Sequence, residues 1–324
     1  MTTQVALRAD AFAGEADLVA IADLYNHCSQ VDQLDSWLSL DELREDLSDP
    51  DFDPSQDLRL WRDGSGDLLA TAELWQRKMP DCAQAYLSCF LHPAVRGRLE
   101  PELMAWAEKR LRQMAEAEPH PRIELHAGCR DTQSYKMSLF SAYGFDKVRA
   151  FYRMARSLSQ SLLVPQLPEG FQVRPVNVER EAIAWVEMFN QTFIDHWNHS
   201  PATLDDFSHT INLPSYMPSL DLVAVAPDGN LAAFCRSTIF AEENDKLGRK
   251  EGWVTGLGTR RGYRRLGLAR AMLRMGMQAL AKYGIDTVLL GVDSENPSGA
   301  VRLYQSEGFQ LRHRSVAFSK CLES

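Results

Sequence analysis

Thr255-Gly256-Leu257-Gly258-Thr259-Arg260-Arg261-Gly262-Tyr263-Arg264-Arg265-Leu266-Gly267-Leu268-Ala269 leads from an apolar segment, through a loop of glycine and arginine, into a stretch with helical spacing. The pattern predicts a strand ending near Leu257 and a long helix over Leu266–Tyr283. Unpaired N–H groups at a helix start, with the positive end of its dipole, form an anion site. Gly267 and Ala269 leave the first turn bare, so a pyrophosphate can approach the backbone. No acidic residue falls between Glu251 and Asp286, whereas Arg260, Arg261, Arg264, Arg265, Arg270, Arg274 and Lys282 all do. A charge run is usually a solvated face, but clustering around glycines at a helix start fits a small polyanion better. Two nucleotide motifs fail here. No Gly-Lys-Ser/Thr ending is present, and Gly256-Leu257-Gly258 lacks the third dinucleotide-binding glycine.

Working outward, the chain repeats itself. Glu307-Gly308-Phe309 echoes Tyr143-Gly144-Phe145, and Gln172-Val173-Arg174 echoes Ala6-Leu7-Arg8. Met188-Phe189-Asn190 answers Leu24-Tyr25-Asn26, and Arg264-Arg265-Leu266 answers Arg96-Gly97-Arg98. The serine- and proline-rich stretch Ser157–Gly170 reads as the junction. Boundaries of 1–158, a linker at 159–170, and 171–324 are expected. In the second half, strands are expected at Phe171–Arg174, Asp221–Ala226, Leu231–Ile239, Trp253–Leu257, Thr287–Val292 and Arg312–Ser319. Helices are expected at Glu179–Phe193, Leu204–Ile211 and Ser298–Ser306 besides the long one. The first half parses alike, with strands near Leu58–Trp61, Leu68–Trp75, Ala85–Leu91 and Ile123–Ala127. Its helices are expected at Glu102–Ala117 and Ser134–Tyr143. Hairpins followed by a strand–helix–strand crossover give an α/β fold: a mostly antiparallel mixed sheet flanked by helices in each half.

The 324 residues are 45% apolar and 24% charged, with a net charge of −9. An acidic chain argues against nucleic acid as a general partner, because such binding rests on phosphate neutralisation. No apolar run is long enough to span a bilayer, so no membrane partner is expected. Cys28, Cys82, Cys89, Cys129, Cys235 and Cys321 show no CxxC spacing, and His92, His120 and His126 no ligand spacing; a reduced cytoplasm and no metal are expected. Asp49–Asp53 has calcium-loop character, but Pro54 and Leu60 stand where glycine and glutamate are required, so it reads as an acidic turn.

Arg264-x-x-Gly267-x-Ala269 resembles the Q/R-x-x-G-x-G/A motif of the GNAT superfamily of acetyl-CoA-dependent N-acyltransferases. Asn296-Pro297-Ser298-Gly299-Ala300-Val301-Arg302-Leu303-Tyr304-Gln305-Ser306-Glu307-Gly308-Phe309 is similar to its second signature. The two halves resemble its tandem, two-domain members of the mycothiol synthase type. The resemblance implies acetyl-CoA as cofactor and a small-molecule primary amine as acceptor. Backbone amides from Leu266 through Gly267, Leu268 and Ala269 to Arg270 would hold the pyrophosphate, with Arg264 and Arg265 adding charge. Leu257, Gly258 and Thr259 would pair with the pantetheine arm like an added strand, and Asn296 and Ser298 would reach the same arm. Tyr304 would protonate the departing thiolate. Its bland alternative is a core aromatic on a short helix. Glu251 is the named candidate base, although the usual place of such a glutamate falls nearer Val254. Asp195, His196 and His199 are further candidates, as is ordered water.

In the first half the phosphate motif reads Arg96-Gly97-Arg98-Leu99-Glu100-Pro101, and Phe140 stands at the tyrosine position. Leu99 and Pro101 replace the small residues, Glu100 brings an anion, and proline removes a backbone donor. The first half is expected to be degenerate. The expected protein is an N-acetyltransferase, monomeric or homodimeric. Competing readings are a protein or peptide N-acetyltransferase and a non-catalytic acyl-CoA sensor.

Overall fold

A computed structural model of the chain describes residues 7–160 and 162–323; Ala6 of the repeat lies outside the described residues. The chain begins with β1 (Arg8–Ala11), α1 (Glu15–Val31), α2 (Leu40–Leu47), α3 (Pro54–Asp57), β2 (Leu58–Arg62), β3 (Leu68–Met79) and β4 (Cys82–Leu91). There follow α4 (Glu100–Ala117), β5 (Ile123–Arg130), α5 (Ser134–Ala142), β6 (Asp146–Ser157) and β7 (Gln172–Pro175). Next come α6 (Ala182–Phe193), α7 (Leu204–Asn212), β8 (Asp221–Val225), β9 (Leu231–Thr238), α8 (Ala241–Leu247) and β10 (Glu251–Thr259). The chain closes with α9 (Leu268–Lys282), β11 (Thr287–Asp293), α10 (Ala300–Ser306) and β12 (Gln310–Leu322).

Two compact units result. One runs to Arg149 and resumes at Ser315; the other is Ala150–Arg314. The first has strand order β1-β2-β3-β4-β5-β12, antiparallel except for β4 with β5. The second has β7-β8-β9-β10-β11-β6, antiparallel except for β10 with β11. In each, the parallel pair is joined by a helix, α4 or α9, as a parallel connection requires. The mixed-sheet expectation is met in both units.

The units are not the two sequence halves. Ser315–Leu322 of the second half pairs with β5, and Phe151–Ser157 of the first half pairs with β11. No strand is expected from the sequence at β6, whose arginines interrupt the apolar alternation that marks one. Nor is 159–170 a free tether. Leu158, Leu162 and Leu167 pack against the second unit's core.

Each sheet of the two units buries both faces. In the second unit Leu268, Ala271, Met272, Leu273, Met277 and Leu280 of α9 pack with Val288, Leu290 and Val292. Each leucine, methionine and valine among them contributes about 1.5–3 kcal/mol when taken from water. Gly276 lets α9 close on β9, since a Cβ there would stand 2.5 Å from Cys235 Sγ. The opposite face carries Trp185, Met188, Phe207, Val223 and Phe234, under α6 and α7. Among the described residues no helix is long and apolar enough to cross a membrane, and no three His, Cys, Asp or Glu side chains group to hold a metal ion.

Candidate functional site

Strand β10 is bent and then left half unpaired. Its ladder with β9 runs Val254↔Ser237 and resumes at Gly256↔Arg236, so Thr255 is an extra residue. Such a bulge turns the strand away from its neighbour. Pairing with β11 accordingly covers only Glu251–Val254 against Thr287–Leu290, although β10 continues to Thr259 and β11 to Asp293. The parallel strands part into a wedge, with Leu257, Gly258 and Thr259 along one side. Thr259 Oγ1 is buried there with no hydrogen-bond partner. Gly258 answers a different need from the one its position suggested: a Cβ would collide with Thr192 of α6 and stand 2.9 Å from Phe234.

At the end of β10 the chain makes a short turn over Arg261–Tyr263 and enters α9. Arg265 takes a left-handed φ of 66° and Gly267, the N-cap, one of 86°. No side chain caps α9, so the N–H groups of Leu268, Ala269 and Arg270 point out of the helix start unpaired by a cap. Leu266, Gly267 and the Arg265 side chain are exposed around them. Gly267 has nothing within 4 Å of a Cβ position, so its role is conformational freedom and open space above the helix start.

The arginines divide into two groups. Arg260 donates to Gln191 Oε1 and Glu187 Oε1, both at 2.6 Å. Arg261 and Arg264 share the Asp195 carboxylate, and Arg264 also donates to the Thr192 carbonyl at 2.9 Å and to the Thr259 carbonyl at 3.3 Å. These three tie the loop to the end of α6. Arg274 makes a two-pronged bond to Glu307, at 2.8 and 2.9 Å, and is likewise structural. Arg265 is left to face an anion, and the half-exposed Arg270, although it pairs with Glu307 at 3.5 Å and donates to Ser306 Oγ at 3.2 Å, stands beside it in the first turn. The sequence expectation for Arg264 is thereby revised from phosphate contact to loop anchor. Glu187, Gln191 and Thr192 were invisible to motif reading, because partners some 70 positions away leave no local period.

Tyr304 projects from α10 into the second core, against Phe309, and is 7% exposed. Burial pushes its pKa above the ordinary phenol value, with a smaller push from Cys235. Its hydroxyl has no protein partner among the described residues. Asn296 Oδ1 accepts from the Ser298 N–H at 2.9 Å and from the Ser298 hydroxyl, which shapes the loop between β11 and α10. Glu251 stands elsewhere. It opens β10 opposite Thr287, six residues or about 20 Å of strand before Leu257. Arg312 holds it at 2.6 Å and Arg249 at 3.6 Å. Asp195 is no freer, since hydrogen bonds from Arg261 and then Arg264 hold its carboxyl below the usual range. The structure brings Tyr304, the wedge and the α9 start into one region of one unit and leaves both carboxylates out as bases.

The first unit repeats this frame with its parts altered. Pairing of β4 with β5 also stops short, at Leu87↔Ala127. Before α4, Gly97 takes a left-handed φ of 82°, at the place where Arg265 takes one of 66° in the second unit. Here Glu100 Oε1 accepts from the Gly97 N–H at 2.5 Å and from the Tyr135 hydroxyl. Pro101 follows within the first turn, and Phe140 is fully buried in the core.

Residues 182–309 match the profile described as "Acetyltransferase (GNAT) family". The chain is similar to a mycothiol acetyltransferase of Thermobispora bispora, 33% identical over 53% of this chain and 57% of that protein. A mycothiol acetyltransferase of Kineococcus radiotolerans is 34% identical over 61% and 64%. The matches thus span about three fifths of the curated relatives' length. A GCN5-related N-acetyltransferase from Sphaerobacter thermophilus superposes with TM-score 0.79 and 26% identity, over 98% of this chain and 96% of that one. A tandem GNAT protein from the clavulanic acid biosynthesis pathway shares the fold, with TM-score 0.73 and 14% identity over 98% and 99%. The segment 182–309, which holds the wedge, the bare start of α9 and Tyr304, belongs to the acetyltransferase (GNAT) family.

Proposed function

We propose that this protein moves an acetyl group from acetyl-coenzyme A to a primary amine on a small molecule, and that the Ala150–Arg314 unit does so. The observation that carries this reading is the contrast between two helix starts. Neither helix has a side-chain cap, but the approach to α9 is open, whereas at α4 Pro101 removes one amide and the Glu100 carboxylate stands in the first turn, accepting from the Gly97 N–H just before the helix. The residues present suit the cofactor. Amides of Leu268, Ala269 and Arg270 would take the pyrophosphate, with Gly267 leaving room and Arg265 and Arg270 adding charge. Leu257, Gly258 and Thr259 line a strand edge for the pantetheine amides, and the orphaned Thr259 hydroxyl calls for a polar partner there. Asn296 and Ser298 would border the same arm.

When bound, the thioester supplies an activated acyl carbon. Tyr304, kept protonated by burial, would give its proton to the departing sulfur. With Glu251 and Asp195 engaged by arginines, the amine's proton leaves through water. A small-molecule acceptor is supported by the relatives named mycothiol acetyltransferases. The proposal includes a cytoplasmic setting, in which the six free cysteines would persist.

A screen of the full chain with acetyl-CoA tests this. The panel should contain deacetylated mycothiol, glucosamine, polyamines, amino acids and peptides, read by thiol release and product mass. Acetylation of a small amine is expected. Binding of acetyl-CoA with no transfer to any amine would remove the enzymatic reading, and faster transfer to a peptide N-terminus would replace the acceptor class.

A further inference from the structure

Five glycines lie inside strands of the described residues, and four have a packing reason. A Cβ at Gly252 would stand 2.7 Å from Leu280, at Gly256 2.9 Å from Phe234, at Gly258 against Thr192, and at Gly128 2.6 Å from the Tyr86 hydroxyl. Gly291 is the exception. Nothing lies within 4 Å of its Cβ position, its φ is not left-handed, and it is exposed in a strand whose neighbours are buried. Glycine inside a strand weakens it and marks close approach by a ligand or another backbone.

Its place is specific. Val254↔Leu290 is the last pair before β10 and β11 part, so Gly291 is the first residue of β11 inside the wedge. Val288, Leu290 and Val292 face α9, so Leu289, Gly291 and Asp293 face the other way, toward the α6 side. On that side Trp253 sits beside Leu289, with the Arg153 guanidinium stacked 4.0 Å from its ring centroid. Phe151 sits beside Asp293 and meets Trp197, from the segment after α6, at 5.9 Å. A bare backbone floor thus lies between two aromatic corners.

The first unit is an internal control. Its last pair before the strands part is Leu87↔Ala127, so Gly128 holds the place of Gly291 and Tyr86 the place of Trp253. There Tyr86 lies over the glycine and fills the floor. The unit whose cradle is closed has a closed floor, and the unit whose cradle is open has an open one.

We infer that Gly291 is a specificity-determining residue. Its bare backbone is the floor on which the amine-bearing end of the acceptor rests, with the Trp253 ring, stacked with Arg153, the β6 partner of Gly291, on one side of the acceptor's body and the Phe151–Trp197 pair on the other. The inference rests on the acetyl-transfer reading above.

Gly291→Ala and Gly291→Leu test it, since both side chains enter open space at an ordinary φ. Acetyl-CoA affinity is measured by calorimetry, and acceptor KM with the amine from the screen that the wild type uses best. The leucine variant is expected to raise that KM at least about tenfold, as added methylenes do in a fitted pocket, with alanine between. Acetyl-CoA affinity should stay within about twofold for both. An unmoved acceptor KM in an active enzyme overturns this inference alone, and an equal loss of acetyl-CoA affinity gives the floor to the cofactor arm and overturns it too. A wild type that binds acetyl-CoA and acetylates no amine removes the underlying reading together with this one.

Discussion

The Glu100 carboxylate accepts a hydrogen bond from the Gly97 backbone N–H at 2.5 Å, and the Tyr135 hydroxyl donates to the same oxygen. An anion built into the chain occupies the start of α4, where the matching residue of α9 is Leu268. Arg96, which could have served a phosphate, is held instead by both oxygens of Asp32, at 2.7 and 3.0 Å. Calorimetric titration of the full chain with coenzyme A should therefore give a stoichiometry near one per chain. A value near two would show that Glu100 yields its place.

Gly267 allows a sharper comparison. Gly267→Glu puts a side chain and a negative charge into the space before three unpaired amides, at a φ of 86° that glycine adopts freely and glutamate does not. Coenzyme A affinity should fall by at least about 100-fold, near 3 kcal/mol. Leu99→Glu, at the matching position of α4, should leave that affinity where it was, provided circular dichroism shows the buried Leu99 site still folded. Equal losses would erase the asymmetry between the units.

The sequence made the periodic parts of the fold readable. Helix α4 buries Leu103, Met104, Ala107, Leu111 and Met114 at helical spacing, and the hairpin β8–β9 announces itself by Pro227-Asp228-Gly229-Asn230. Strand β6 did not, because its arginines have partners supplied by distant segments, Trp253 for Arg153 and Glu307 for Arg156. The same limit governs the site. Motifs located the α9 start and Tyr304, whereas the anchoring of Arg260, Arg261 and Arg264 on α6 depends on tertiary pairing. Gly291 is legible in principle, as a lone glycine in an apolar strand, but nothing in the sequence shows that it is exposed where two strands part.

Glu73 of β3 gives the first unit a pH dependence. Burial pushes its carboxyl up to about 7; the Trp75 indole N–H, 3.2 Å away, lowers it, and nearby Asp46, itself pushed up to about 6 by burial, raises it further. A carboxyl raised on folding contributes stability that is fully present below its unfolded value of about 4.5 and is lost as pH rises through about 7. Glu73→Gln imitates the protonated form at every pH. The variant should match the wild type in chemical denaturation near pH 4.5 and exceed it at pH 8, by about 3 kcal/mol at most. Equal stability at both pH values would mean that Glu73 ionises in the fold without cost.

Tyr304→Phe decides whether the tyrosine is an acid or a core ring. The substitution keeps the packing against Phe309 and deletes one hydroxyl, which has no protein partner among the described residues to leave stranded. Phe140 occupies the corresponding place in the first unit and is 1% exposed, so the frame accommodates phenylalanine there. Folding and coenzyme A affinity should hardly move. If the hydroxyl delivers the proton, turnover falls by about 10²–10⁴, the usual worth of a positioned acid, and the loss lies in kcat rather than in binding. The pH profile adds a second check. Because burial raises the Tyr304 pKa, the phenol stays protonated past the ordinary tyrosine value near 10, so no alkaline fall in wild-type kcat should arise from its ionisation. Turnover of Tyr304→Phe within about threefold of wild type, with the absence of a pre-steady-state burst excluding slow product release as the mask, would return Tyr304 to the core and leave the departing sulfur to water.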